Sequence, residues 1–335
     1  MGEPLLFLGV DGGGTRCRAR LADAAGAILG EGLAGPANIR IGLDESLRSV
    51  LDAAGQCLAQ AGATRDTTVA ACLALAGASE PREAAAARAA CAGRFHRVRI
   101  VTDAEAACVG AHRGEDGGVI VVGTGSIGWA VCGGRSVRVG GWGFPVSDEG
   151  GGAWLGCEAV RRTLRAHDGR TAWTPLLRRV SAEFGSDPHA IVRWMGPAKP
   201  RDFARLAPLV LDHAALPDHQ DPAAAEIMRL AAGHIDAIAS RLAGHGAARL
   251  ALMGGLAAAI EPWLGPATRA RLVPPAGDAL DGALHLARNA ACVIPEIRGS
   301  GLSGTQHHEA SAAHLALGPG SRAGARGRDD KGSVR

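Results

Sequence analysis

The stretch LLFLGV (residues 5–10) followed by DGGGT (residues 11–15) joins a short apolar run to a turn that is mostly glycine. An apolar run of this length between polar ends is typical of a buried strand. Glycines let several backbone N–H groups point into one concavity, and Asp11 and Thr15 add oxygens that suit a phosphate or a metal-bound water. A plain hairpin turn that needs glycine's conformational freedom is the alternative.

Two common nucleotide motifs are excluded at this turn. No Gly-Lys-Ser or Gly-Lys-Thr follows the glycines, as the Walker sequence requires. The next element, residues 15–22, reads as a strand, whereas a dinucleotide fingerprint opens a helix.

The order of elements in the first half is predicted as βββαβαβα. Apolar alternation predicts strands, and helical periodicity with turn residues predicts helices. The predicted strands are residues 5–10, 15–22, 28–33, 69–76 and 98–102, and the predicted helices are residues 43–61, 80–92 and 104–111.

The opening pattern recurs after the glycine-rich break at residues 114–118. A strand at 119–122, the turn GTGS at 123–126 and strands at 127–132 and 136–139 repeat the strand, glycine loop and meander. Mainly helical signals follow over 150–245. The remaining predictions are a strand at 249–253 ending in Gly254-Gly255, a helix, a short strand at 271–273 and a helix at 281–291.

Composition excludes several classes of partner and location. The net charge of +3 is small for 335 residues and the arginines are dispersed, so nucleic acid is not expected as a partner. No apolar run approaches the roughly 20 residues of a membrane span, and no secretory segment is recognised. Eight cysteines without CxxC spacing indicate a reducing, cytoplasmic compartment. Residues 298–335 are rich in Gly, Ser, Ala and Arg and are predicted to be a disordered tail.

Asp103 is a candidate catalytic carboxylate because it follows the strand at 98–102, where ligands of α/β sheets gather. It could accept the proton of an attacking hydroxyl. The alternative is structural: Thr102 and Glu105 could form a capping box with Asp103 merely favourable at the helix N-terminus.

The segment GGWGFPVSDEGGG (residues 140–152) carries a second candidate pair. Asp148 and Glu149 could accept hydrogen bonds from neighbouring sugar hydroxyls. The alternative is that Asp148 caps the following helix and Glu149 lies in its first turn.

Seven motifs follow one another along the chain: LGVDGGGTRCRARLADAAGAILGEGLAGPANI (8–39), LALAGA (73–78), VTDAEAA (101–107), VVGTGSIG (121–128), GGWGFPVSDEGGGAWLG (140–156), LALMGGL (250–256) and DGALHLA (281–287). In this order they resemble the N-acetylglucosamine and glucosamine kinases of the BadF/BadG/BcrA/BcrD ATPase group, within the sugar kinase, Hsp70 and actin superfamily. The resemblance covers about residues 5–291.

The resemblance implies a duplicated ribonuclease-H-like, actin-like ATPase fold of α/β class, with two domains around a nucleotide cleft. The implied domains are residues 1–113 and residues 114–297, the second with a helical insertion and a last helix that could pack back on the first. A homodimer is also implied. The substrates would be MgATP and an amino sugar phosphorylated at its 6-hydroxyl.

The resemblance also implies roles for individual residues. Asp103 would be the catalytic carboxylate, and Asp11 would hold Mg²⁺, through water. ATP would be bound by Asp11, Gly13, Gly14, Thr15, Thr124, Gly125, Ser126, Gly254 and Gly255, and the sugar by Asn38, Asp103, Trp142, Gly143, Asp148 and Glu149. Members of the group often have Ser where this chain has Gly151, which removes one hydroxyl near the sugar.

Two other functions are compatible with the same fold. Some members of the group are ATPases that activate a partner dehydratase by electron transfer through an iron–sulfur cluster with Cys ligands. A non-catalytic sugar sensor could also retain the fold.

Overall fold

Two β-sheets organise the protein, and the computed structural model describes it over residues 5–40, 42–64, 67–215 and 221–292. The strands follow the predicted order closely because each is either an apolar run or a stretch of alternating apolar and polar residues. They are Leu6–Gly12 (β1), Cys17–Ala22 (β2), Ile28–Ala34 (β3), Val69–Leu75 (β4), Arg97–Val101 (β5), Gly117–Val122 (β6), Ser126–Cys132 (β7), Arg135–Gly140 (β8) and Leu250–Met253 (β9).

The first sheet has the strand order β3-β2-β1-β4-β5. β1, β2 and β3 form an antiparallel meander, and β4 and β5 continue the sheet parallel to β1. Every residue of β4 is buried, as expected for a central strand covered on both faces.

The second sheet repeats this plan with four strands in the order β8-β7-β6-β9. β6, β7 and β8 form the meander and β9 runs parallel to β6. The α/β class and the duplicated plan are therefore confirmed. The predicted strand at 271–273 is wrong: Leu272 forms only an isolated bridge with Leu250, since the chain turns away after one pairing.

Twelve α-helices cover the sheets and form the insertion within the described residues. Several begin at a proline preceded by a capping side chain, such as Thr174, Asp187 and Asp221, which accepts a helix N–H. The helices are Leu43–Gln60 (α1), Pro81–Ala90 (α2), Asp103–Ala111 (α3), Gly152–His167 (α4), Pro175–Ala182 (α5), Pro188–Met195 (α6), Pro200–Ala204 (α7), Ala207–Ala214 (α8), Pro222–Gly244 (α9), Ala257–Ile260 (α10), Pro266–Arg269 (α11) and Ala279–Cys292 (α12).

The last helix packs on the first sheet, although it follows the second in sequence. Ala283, Leu284 and Ala287 of α12 share a buried cluster with Phe7 of β1 and Val109 of α3. The main core of the second half is separate and lies between its sheet and α4, α5, α8 and α9. α12 therefore ties the end of the described chain to the first half.

The outer edge of β3 is bonded to side chains of α1. The Gln56 carboxamide accepts from Leu33 N and donates to Leu33 O at 3.0 and 2.9 Å. Gln60 makes the same pair of bonds with Glu31, at 3.0 and 2.7 Å. Alternate backbone groups of this edge strand are thereby satisfied.

The described residues all belong to one compact unit, residues 1–294. The division near residue 113 stays a prediction. The predicted tail at 298–335 lies outside the described residues. In the part of the chain that the structure describes, no helix is long and apolar enough to cross a membrane.

Candidate active site

The first glycine-rich turn joins β1 to β2. β1 runs two residues further than expected, because the antiparallel ladder continues through the pairs Asp11↔Arg18 and Gly12↔Cys17. The turn is thus residues 13–16, closed by a hydrogen bond from Gly13 N to Arg16 O at 2.9 Å. Gly14 and Thr15 are exposed at its tip. The tip of the turn is therefore accessible to a ligand.

Asp11 lies at the end of β1 in a cross-strand ion pair. Arg18 donates to Asp11 Oδ2 from Nη2 at 2.6 Å and from Nε at 3.3 Å. The remaining end of the guanidinium bonds Asp278 Oδ2 at 2.7 Å. Arg18 therefore holds the Asp11 carboxylate by one oxygen.

The second glycine-rich turn, residues 123–125, joins β6 to β7. Gly123 N donates to Gly125 O at 2.8 Å. The turn is docked on the start of α4, where Gly152 N and Ala153 N donate to the carbonyl oxygens of Gly123 and Thr124 at 2.8 and 2.9 Å. The first N–H groups of α4 thus fix this turn.

Gly254 and Gly255 follow β9 beside the second turn. Gly254 has a φ of 99°, and a Cβ there would lie 2.8 Å from the carbonyl carbon of Val122. Leu256 N donates to Val122 O at 3.0 Å. The chain after β9 therefore requires glycine to pass this close to the end of β6.

A pocket of about 300 Å³ lies between the two halves. This volume is near the lower end of the range for small-molecule sites. Its lining residues come from both sheets and their loops: Asn38, Arg40, Gly77, Ser79, Thr102, Asp103, Val121, Gly123, Thr124, Gly125, Ser126, Ile127, Arg138, Gly141 and Asp148. A larger cavity of about 570 Å³ between α9 and α11 contains none of the predicted site residues.

Asp103 is the first residue of α3 and faces this pocket. Thr102 caps the helix by accepting from Glu105 N at 3.0 Å, and Asp103 Oδ1 accepts from Ala104 N at 2.9 Å. By accessible area Asp103 is an exposed residue at the pocket, yet many protein atoms surround its carboxylate, and the resulting desolvation raises its pKa. The charge of Asp11 raises the pKa further. Asp103 thus has the raised proton affinity that suits a general base.

Asp148 closes the pocket beside the second turn. Its Oδ1 accepts from Gly143 N at 3.1 Å, and its carboxylate packs on Gly125, where an added Cβ would lie 2.7 Å from Asp148 Cγ. Desolvation raises the pKa of Asp148. The helix-capping alternative is wrong for this residue, because α4 begins at Gly152 with Gly151 as its N-cap.

Two arginines of the pocket were missed by the sequence analysis. Arg138 on β8 stacks over the indole ring of Trp142, 4.0 Å from its centroid, and burial lowers the pKa of this guanidinium. Arg40 is exposed and packs over Gly77. In the sequence Arg138 is an ordinary strand residue, and only its place two residues before the GGWG motif could have drawn attention to it.

The structure brings together some predicted residues and leaves others outside the pocket. The predicted residues that line it are Asn38, Asp103, Thr124, Gly125, Ser126 and Asp148. Those outside its lining are Asp11, Gly13, Gly14, Thr15, Trp142, Gly143, Glu149, Gly254 and Gly255. Trp142 is 72% exposed. The carbonyl oxygen of Glu149 accepts a hydrogen bond from the Ser126 hydroxyl at 2.6 Å.

Comparison with known proteins assigns the chain to a family. The model of the BadF/BadG/BcrA/BcrD ATPase family matches residues 8–264. The chain belongs to this family. It is 41% identical over 282 residues to the glucosamine kinase GspK of Vibrio cholerae, an alignment covering 84% of this chain and 95% of that protein.

Two solved structures of similar proteins have the same architecture. A putative N-acetylglucosamine kinase from Chromobacterium violaceum superposes with a TM-score of 0.77 at 38% identity, covering 86% of this chain and all of that one. A putative N-acetylglucosamine kinase from Porphyromonas gingivalis gives a TM-score of 0.61 at 20% identity, over 86% and 99% of the chains. The expected family and fold are confirmed.

Gly151, where the resemblance led us to expect serine, lies against the second turn. A Cβ at residue 151 would lie 2.6 Å from the carbonyl carbon of Gly125 and 2.7 Å from its Cα. A serine would therefore require one of the two segments to move.

Proposed function

We propose that the protein transfers the γ-phosphoryl group of ATP to the 6-hydroxyl of an amino sugar, N-acetylglucosamine or glucosamine. The observation that carries the proposal is the shared pocket of Asp103, Asp148 and the second turn in a member of this ATPase family. The similarity to a glucosamine kinase, matched over 95% of its length, and to a putative N-acetylglucosamine kinase supports the same reaction.

Asp103 is the proposed general base. Its carboxylate would accept the proton of the attacking hydroxyl, while Asp148 and Asn38 orient other hydroxyls of the sugar. Phosphoryl transfer proceeds through a loose transition state, so positioning and charge neutralisation supply most of the acceleration. Desolvation of Asp103 suits this role, since it raises the affinity of the carboxylate for a proton.

The triphosphate is proposed to lie between the two glycine-rich turns. Backbone N–H groups at Gly14 and Thr15 would bind one end, and Thr124, Gly125 and Ser126 the other, with Asp11 and Gly13 in the same first loop. Gly254 and Gly255 lie beside the second turn, which suits contact with the adenosine of the same nucleotide.

Mg²⁺ belongs to this proposal as the partner of the triphosphate. Asp11 fits the ion through water, because Arg18 bonds only one of its carboxylate oxygens. When bound, Mg²⁺ would neutralise charge on the β- and γ-phosphates. Asp11 would then hold the ion, and the first turn would hold the phosphates that the ion neutralises.

Electron transfer to a dehydratase is a poorer fit to the described residues. An iron–sulfur cluster needs thiolate ligands at a surface shared with a partner. Five of the seven cysteines whose side chains the structure describes are buried, and burial raises the pKa of Cys17, Cys72 and Cys108 to about 12 and that of Cys57 to about 11. These thiols are therefore protonated and enclosed.

The test is a panel of hexoses and amino sugars incubated with the protein and MgATP, with each product identified by mass. An amino sugar should gain one phosphoryl group, and the preferred member of the panel defines the substrate. ATP consumption should also rise when that sugar is added, since an empty pocket lacks the acceptor. Sugar binding without a phosphorylated product would instead indicate a sensor.

A further inference from the structure

Arg138 is fixed in place by three contacts of its guanidinium. Nε donates to Gly140 O at 2.9 Å, Nη2 donates to Gly141 O, and the planar group stacks on Trp142. These contacts use two of the five guanidinium N–H groups, and the others remain available. The side chain therefore connects β8 to the segment that begins the GGWG motif.

Arg138, Asp103 and Asp148 line the same pocket, so the charge of the guanidinium acts on both carboxylates. Asp148 and Asp103 both interact favourably with it, and Arg40 opposes it. Arg138 is absent from all ion pairs formed among the described residues. Two carbonyl groups and an indole ring therefore hold the guanidinium in place, and its charge acts on two carboxylates of the pocket.

We propose that Arg138 is a positioning residue with two roles, which rest on the proposed kinase function. Its charge stabilises the ionised form of the Asp103 carboxylate. Its planar fork holds residues 140–142 against the sugar side of the pocket. Neither role requires contact with the reacting atoms.

The charges around Asp103 explain why a fixed cation matters here. Asp11, at the end of β1, disfavours ionisation of Asp103, and Arg138, on β8, favours it. On the same helix, Glu105 is paired with Arg99 of β5 at 2.8 Å. Arg40, from the loop after β3, and Asp148 act on Arg138 itself. Removal of Arg138 would leave Asp103 beside the negative charge of Asp11.

Two substitutions separate the roles. Arg138→Gln removes both the charge and the fork, whereas Arg138→Lys retains a charge but loses the planar group that bonds two carbonyls and stacks on Trp142. The matched control is Arg135→Gln, at the exposed start of the same strand. Thermal melting of all three variants identifies any that fail to fold.

The first measurement follows Asp103 directly. Its carboxyl carbon is titrated by NMR without substrates, and its signal is identified by its loss in Asp103→Asn. The midpoint should move to higher pH by about 0.5 or more in Arg138→Gln, and Arg138→Lys should restore most of the difference. An unchanged midpoint in Arg138→Gln would overturn the electrostatic role. This readout does not depend on activity, so its failure is distinct from failure of the sugar panel.

The second measurement is steady-state kinetics with the sugar that the panel identifies. The KM for sugar should rise about fivefold in both Arg138 variants, because both release residues 140–142. The acidic limb of the kcat profile should move to higher pH only in Arg138→Gln. A wild-type KM in Arg138→Lys would overturn the anchoring role, and Arg135→Gln should match the wild type throughout.

Discussion

The two glycine-rich turns share a sequence pattern and a place in the repeated fold, but glycine is needed for different reasons. In the second turn and its surroundings, Gly125 and Gly151 are required by contacts within the protein, since a Cβ at either would enter a neighbouring group. In the first turn, a Cβ at Gly14 would meet nothing within 4 Å. At the first turn, a glycine that the fold itself does not need leaves room for the proposed phosphate.

The largest expected effect is at the carboxylate that faces the second turn. Asp103→Asn should lower turnover by about two orders of magnitude or more while ATP binding stays nearly unchanged, because the amide cannot accept the hydroxyl proton. Steady-state kinetics and nucleotide titration check the two parts. Wild-type turnover in this variant would show that the pocket beside the second turn is not where chemistry occurs.

The second turn should be intolerant of a single added carbon. Gly125→Ala should destabilise the fold by about 2 kcal/mol, because the new Cβ collides with the Asp148 carboxylate. Denaturant unfolding measures this change. The control is Gly123→Ala in the same turn, where nothing lies within 4 Å and stability should be close to that of the wild type. Equal stability of the two variants would show that contacts within the protein do not require glycine at residue 125.

The first turn should show the opposite behaviour. Gly14→Ala should leave stability unchanged and weaken ATP binding roughly tenfold, or about 1.4 kcal/mol, because the methyl group occupies ligand space. Its neighbour Gly12 serves as the control: a Cβ there would lie 2.7 Å from Leu75 Cδ2 and 2.8 Å from Ala37 Cβ. Gly12→Ala should therefore lose stability. Wild-type ATP affinity in Gly14→Ala would argue against a phosphate at the first turn.

The smallest expected effect is on stability as a function of pH. The raised pKa of Asp103 means that the folded protein binds this proton more tightly than the unfolded chain does. Wild-type stability should consequently fall, relative to Asp103→Asn, as pH rises above about 4, the ordinary range of an Asp carboxyl. Asp103→Asn should melt at a higher temperature at pH 7, with the difference vanishing near pH 3. A lower melting temperature of this variant at pH 7 would contradict the sign.

Much of the fold could be predicted because its signals are local. Apolar runs ending at glycines gave the strands, and the recurrence of strand, turn and meander revealed the duplication. The strand predicted at residues 271–273 was wrong. A segment of three residues is too short to show whether its pairing with a neighbouring strand continues beyond a single bridge. The extent of β1 depended on hairpin register, which a glycine-rich turn leaves open.

The site was predictable only where a motif marked it. Asp103, Asp148 and the second turn stand in distinctive sequence and line one pocket. Arg138 depends on tertiary contacts with Trp142 and the carboxylates, which no local pattern reveals. The Asp11–Arg18 pair was more accessible: once the turn is taken as residues 13–16, these two side chains lie directly opposite each other.

The glutamines that bond β3 have a consequence for assembly. A free strand edge invites a strand from another molecule, and the exposed Ile28 and Leu33 would strengthen such an association. Gln56 and Gln60 take the place of a neighbouring strand. Their carboxamides already supply the donor and the acceptor that the backbone of an incoming strand would offer. Two copies cannot merge their sheets at this border without first breaking those bonds, which protects the exposed border from intermolecular sheet growth.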